Sequence, residues 1–266
     1  MQREFTTRLV EWRDAARDRV VPVKVYEPSD ARGIVVVSHG IGEDRESYAY
    51  LGRALARNGF TAVHITHAGT DRATLERGYL HLYRATKIKE NWVNRPLDVS
   101  FVLDQLNAKG PVAVVGHSAG AFTAFAIGGL RSAGGETLRD DRVSVIIPMS
   151  MPRMDGVVAA GGYDSVTIPT LNLTGTCDTS LLYRTFPRHR RIPFEQTQAA
   201  GSYLATVKGV THNSFSNRED RNHDVIAALV VAFLNAHLAG DRAAKEWFDT
   251  TSRTTMNGKE LTIERK

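Results

Sequence analysis

Cysteine is almost absent from this chain: Cys177 stands alone among 266 residues. No intrachain disulfide can form, and no cluster of thiolates can hold a metal. Long apolar runs are missing as well; none approaches the roughly 20 residues that a membrane-crossing helix needs. The first residues, Met1 to Phe5, are polar and lack the apolar core of a secretory leader. The expectation is a cytoplasmic protein, or a secreted one if a leader has been removed. Internal repeats, low-complexity tracts and a domain-splitting linker are lacking too, so residues 1–266 are expected to form one domain. An acidic excess is also absent, the net charge being +5. The basic residues are spread along the chain, and only Arg188-His189-Arg190-Arg191 forms a cluster. With no DNA- or RNA-binding motif beside it, this cluster reads as solvated positive surface. Neither a nucleic acid nor a membrane is expected as a partner.

What is present is ordinary for a globular chain, 42% hydrophobic and 24% charged. Thr6 to Trp12 and Val20 to Glu27 read as an antiparallel pair of strands within residues 1–27. Gly33 to Ser38 is apolar almost throughout, the pattern of a strand covered on both faces. Further strands are expected at Thr61–Thr66, Pro111–Val115, Val143–Ile147, Thr170–Leu173 and Tyr203–Val207. Helical spacing marks Tyr48–Asn58, Pro96–Leu106 with Pro96 in its first turn, Ala121–Leu130 and Asp224–Leu238. Strands alternating with helices imply an α/β fold with a mostly parallel, doubly wound sheet. Residues 241–266 read as a polar tail with a short helix and an edge strand.

Gly116-His117-Ser118-Ala119-Gly120 sits between an apolar run and a small-residue helix. A match to Gly-x-Ser-x-Gly arises by chance in roughly one chain in ten of this Gly and Ser content, so the setting carries the weight. Here the setting is strand, sharp turn, helix, with a serine at the apex. The turn lifts the hydroxyl clear of the sheet and brings the Ala119 amide to a helix N-terminus, where an oxyanion can be held. Ser118 is the candidate nucleophile.

A serine needs a base, and the base needs an orienting group. In this architecture both should follow Ser118 in the order acid, then histidine, in loops after strands. Asp178 lies directly beyond Thr170–Leu173, among threonines able to keep a carboxylate ionised. Asp155 and Asp164, after the preceding strand, are its rivals. His212 lies in the loop after Tyr203–Val207; an unperturbed imidazole there would lose its basic form near pH 6.5. His39 and His117 read as bracing residues, and His67 as a structural one. In Ser38-His39-Gly40-Ile41-Gly42, the Ile41 amide is placed to complete an oxyanion hole with Ala119.

With these pieces the chain resembles the α/β-hydrolases, and within them the dienelactone hydrolase-like and platelet-activating-factor acetylhydrolase-like branch. The matching stretches are 35–42, 94–98 (Asn-Arg-Pro-Leu-Asp), 116–120, 174–180 and 209–215. Two features depart from it: true dienelactone hydrolases use a cysteine where this chain has Ser118, and acetylhydrolases of the branch can carry their acid where this chain offers only Asp155. The resemblance implies a serine esterase with no metal or organic cofactor, acting on small or exposed acyl esters, free or polymeric. Acyl transfer or amide hydrolysis by the same residues, and ligand binding without catalysis, are the alternatives. The segment from Pro148 to Pro169 is too short for a large lid. Ala68 to Asn94 is the longer excursion, and Tyr83 and Trp92 are expected to form a wall of the pocket, with Met149 and Met151 on its floor.

Overall fold

A computed structural model describes residues 3–181 and 184–266. Ten strands form one sheet: β1 (Phe5–Asp14), β2 (Arg19–Pro28), β3 (Ile34–Ser38), β4 (Thr61–Ile65), β5 (Val112–His117), β6 (Val143–Met149), β7 (Thr170–Cys177), β8 (Ser202–Thr211), β9 (Arg253–Met256) and β10 (Lys259–Arg265). Their spatial order is β1-β2-β4-β3-β5-β6-β7-β8-β10-β9. From β4 to β8 every pairing is parallel, while β1, β2, β9 and β10 add antiparallel edges. The helices are α1 (Ala49–Arg57), α2 (Arg72–Glu76), α3 (Tyr79–Ala85), α4 (Lys89–Gln105), α5 (Ala119–Ile127), α6 (Ile192–Gln196), α7 (His223–His237) and α8 (Arg242–Thr250).

The central strands are apolar on both sides because both sides are covered. Val35 and Val37 of β3 face one core with Leu51 and Leu55 of α1 and Leu229 and Phe233 of α7. Val36, between them, faces the other core with Val99 and Val102 of α4 and Phe125 of α5. The period of two that alternates side chains across a strand thus feeds two separate cores.

Winding reverses at β3, which has β4 on one side and β5 on the other. A crevice opens at such a reversal, beyond the carboxyl ends of the strands. The loop after β3 and the turn after β5 meet there. Between β6 and β7 the described chain holds only a short 3-10 turn, Gly162–Ser165, so no large lid intervenes.

Two expectations are corrected. The fourth helix begins at Lys89, two turns before Pro96, which lies inside it. An interior proline costs about 3 kcal/mol, yet the helix buries Arg95, Asp98, Val99, Val102 and Leu103, and that packing outweighs the penalty. The C-terminal segment holds a hairpin, β9 with β10, rather than a single edge strand; Leu261 and Ile263 of β10 enter the core beside β8.

Candidate active site

Ser118 has φ 54° and ψ −115°, a conformation a non-glycine residue adopts only under constraint. The two flanking glycines permit the turn. A Cβ on Gly116 would stand 1.9 Å from the Gly120 carbonyl oxygen, and one on Gly120 would stand 1.9 Å from that of Ser38. The strand, the helix and the neighbouring loop therefore approach as closely as backbones can. The Ser118 amide donates to Met149 O at 3.0 Å, tying the turn to β6. Its hydroxyl has no hydrogen-bond partner among the described residues and faces a cleft of about 710 Å³.

His212 lines the same cleft, opening a 3-10 turn after β8. Its Nδ1 lies 3.2 Å from Asp178 Oδ1 and 2.7 Å from Ser150 Oγ. Asp178 is fully buried and accepts hydrogen bonds from Ser150 Oγ and Thr174 Oγ1, each at 2.8 Å. Since Ser150 gives its proton to the carboxylate, its oxygen is free to accept from Nδ1. Two acceptors thus face Nδ1, which carries the ring proton and leaves the lone pair on Nε2. Burial opposes ionisation of Asp178, but the His212 contact, the nearby Arg190 charge and the Ser150 hydroxyl hold its carboxyl below the usual range. His212 is pushed down to about 4, chiefly by burial, against the pull of Asp178 and aided by His117 and Arg190.

The loop after β3 is held by hydrogen bonds, several of them to buried charged side chains. Gly40 N donates to Glu43 Oε2 and to the Tyr48 hydroxyl, both at 3.1 Å. Neither the Ile41 nor the Ala119 amide has a protein acceptor among the described residues, and Ile41 lines the cleft. Behind the loop, Arg95 donates to His39 O, to Thr70 Oγ1 at 2.7 Å and to Ser38 Oγ at 3.3 Å. Asp98 takes Arg19 at 2.8 Å and His67 Nδ1 at 3.0 Å, and His67 Nε2 reaches Ser38 Oγ at 2.9 Å. Because a carboxylate only accepts, Nδ1 of His67 donates and Nε2 accepts from Ser38. Residues 94–98 therefore act beneath the cleft, with both charged side chains fully buried. His39 braces its own loop, with Nδ1 2.6 Å from Gly40 O and Nε2 accepting from His67 N.

The structure thus brings Ser118, His212 and Ile41 to one crevice, with Asp178 buried behind His212 and Ala119 buried next to Ser118. Tyr83 lines the crevice, half-exposed, beside Tyr79, Leu80, Leu82 and Leu181. The other pocket residues lie elsewhere. Met149 is packed in the core beneath α1 and α7, and Met151 in the one on the opposite face, since both belong to the apolar run of β6 and its exit. Trp92 sets its ring against Phe122 and donates Nε1 to Thr86 O at 2.9 Å, so it closes α4 onto α3 instead of facing the cleft. Asp155 is largely exposed and paired with Arg153.

Sequence reasoning missed Ser150, Glu43 and Arg190. Ser150 ends an apolar strand on the side where loops carry chemistry, and that position was a usable signal. Glu43 was not marked by any motif; it sits buried among Tyr48, His117 and Arg218. Arg190 was read as surface charge, but its side chain is fully buried against Asp178. Among the described residues, no group of three or more His, Cys, Asp and Glu is placed to hold a metal ion, and no single helix is long and apolar enough to cross a membrane.

A hydrolase family model described as "Serine aminopeptidase, S33" matches residues 29–137. That stretch includes the loop after β3 and the Ser118 turn and stops short of Asp178 and His212. No curated protein matches the chain. Among solved structures, the ferulic acid esterase from Streptomyces cinnamoneus is similar over 98% of this chain and 96% of its own, with a TM-score of 0.74 and 17% identity. At that identity the likeness is one of fold.

Proposed function

We propose, for a chain with the fold of an α/β-hydrolase, hydrolysis of carboxylic esters through an acyl-enzyme on Ser118. The observation that carries this reading is the strained Ser118 opening onto the cleft that also holds His212, whose Nδ1 is anchored by Asp178. In the proposed mechanism, Nε2 of His212 takes the Ser118 proton as the hydroxyl oxygen bonds to the ester carbonyl carbon. The carbonyl electrons move onto oxygen, and the Ile41 and Ala119 amides hold that oxyanion. Asp178 stabilises the imidazolium and keeps the ring in the tautomer that leaves Nε2 bare. Collapse expels the alcohol, which takes the proton from His212. Water, activated by the same ring, then releases the acid and restores the serine. No metal or organic cofactor enters this scheme.

The substrate reading follows from the rim. Tyr79, Leu80 and Tyr83 of α3 and Leu181 of the loop after β7 line the cleft with apolar surface and remain 50–83% exposed, and Arg218, Thr211 and Asn213 add polar lining. An ester with an exposed acyl group and an apolar body to lay against those side chains fits best, whether free or presented by a polymer. The dienelactone hydrolase-like and acetylhydrolase-like branch rests on the five sequence stretches alone. An amidase reading draws support from the aminopeptidase name of the family model over residues 29–137.

An alkyl fluorophosphonate should label wild-type protein and fail on Ser118→Ala. A series of nitrophenyl esters from acetate to palmitate, run beside an aryl polyester and an anilide, should show ester turnover well above anilide turnover. Faster cleavage of the anilide would favour the amidase, and no labelling at Ser118 would end the hydrolase reading.

A further inference from the structure

The short 3-10 turn Pro187–Arg191 carries four consecutive basic residues, of which Arg190 alone is fully buried. A lone guanidinium is costly to bury, so its partners matter. Nη1 donates to the carbonyls of Ser150 and Met151 at 2.9 and 2.7 Å. Nη2 stands 3.1 Å from Asp178 Oδ1 and 3.2 Å from His212 Nδ1. One planar fork therefore touches the exit of β6, the loop after β7 and the turn after β8. Ser150 itself has φ 56°, a left-handed conformation that calls for bracing. Both of its braces are in place: its amide donates to Leu173 O at 2.8 Å, and its carbonyl accepts from Arg190.

We infer that Arg190 is a positioning residue of this site. Its buried guanidinium fixes the Ser150 turn and the Asp178 carboxylate, the two groups that accept from His212 Nδ1, and its charge faces that ring at 3.2 Å. The effect on turnover rests on the hydrolase reading above, whereas the effect on the ring does not. Nη2 has only protons to offer, and Nδ1 carries one already, so their 3.2 Å approach is a contact of charge. A cation so close favours the carboxylate and disfavours the imidazolium. The other charged or titratable groups around His212 are Asp178 from the loop after β7 and His117 from the end of β5, whose ring centroid is 4.7 Å away. Glu43 stands behind His117 and is paired with Arg218, and Glu219 accepts from Thr211 next to His212 in the chain. A lysine at 190 would keep the charge but could not make the four-way planar set of contacts.

Full-length Arg190→Gln, Arg190→Lys and the exposed neighbour Arg188→Gln are compared with wild type by NMR titration of the His212 ring, assigned by its loss in His212→Asn. Ester hydrolysis is followed across the same pH range. Arg190→Gln should raise the titration midpoint of His212 by about one pH unit or more. Arg190→Lys should leave that midpoint near wild type and lower kcat at least tenfold, the fork being lost while the charge remains. Arg188→Gln should change neither. A midpoint unmoved or lowered in Arg190→Gln would overturn the charge role, and wild-type kcat in Arg190→Lys would overturn the positioning role. If Arg190→Gln does not fold, Arg190→Lys decides, since a purely space-filling side chain there would not separate rate from midpoint. Wild-type protein that cleaves no ester while its His212 midpoint still responds to Arg190→Gln would sink the hydrolase reading and leave this inference standing.

Discussion

Replacing Asp178 by Asn preserves the side chain's shape but removes the charge that anchors Nδ1 of His212. In the Ser-His-Asp triad of a serine protease this change lowers kcat by about 10⁴, and steady-state rates at saturating ester should show a loss of that order here. A rate within tenfold of wild type would move the acid role away from Asp178. The pH profile belongs to the same scale. With its pKa near 4 instead of the ordinary 6.5, His212 keeps its basic form through mildly acidic solution. The acid limb of kcat/KM should therefore bend near pH 4 and not near 6.5. The same shift acts on stability: the unfolded ring takes its proton near 6.5 and the folded one near 4, so this group's contribution is complete above 6.5 and is lost as pH falls toward 4. Ser118, Asp178 and His212 could be picked out as candidates because strained turns and strand-end loops leave marks in local sequence. Arg190 left none: in the run 188–191, burial of one arginine among four basic residues is decided by how the turn docks on β6 and β7.

At the scale of elements, the Ser118 turn between β5 and α5 makes the tightest backbone approach among the glycine positions. A Cβ at position 120 would lie 1.9 Å from Ser38 O, so the loop after β3 or the start of α5 must shift. Gly120→Ala should cost a few kcal/mol in denaturant unfolding and abolish fluorophosphonate labelling even where the protein remains folded. Normal labelling with normal stability would mean that the two backbones are not held that close. The apolar strands were legible because continuous burial writes continuous apolar runs, as in Val35-Val36-Val37. The start of α4 was not legible, since Pro96 is a stop signal locally. Only the depth to which Arg95 and Asp98 are buried beneath the loop after β3 shows why the helix runs through it. Trp92 was placed on the wrong side for the same reason: helical spacing gives a face, and the neighbours decide what that face meets.

At the scale of the whole molecule, the parallel strands are flanked by antiparallel ones, β2 and β1 beside β4 and β10 and β9 beside β8. Deleting residues 252–266 would strip β10 from β8 and remove Leu261 and Ile263, which are 1% and 4% exposed. Each such side chain contributes about 1.5–3 kcal/mol by burial. The truncated chain should melt well below the full one and associate through its bared edge, as read by thermal denaturation and size-exclusion chromatography. A melting temperature within two degrees of wild type would show that the hairpin adds nothing. The sequence by itself determined the α/β layering, the parallel core of the sheet and the serine turn, because periodicity and glycine placement are local and survive in one dimension. The tertiary structure alone decided that Met149 and Met151 are core, that Ser150 bridges Asp178 and His212, and that a surface-like arginine lies beneath them. Those outcomes depend on which segments meet across the sheet, and the balance between desolvation and pairing that buries a charge exists only once they have met.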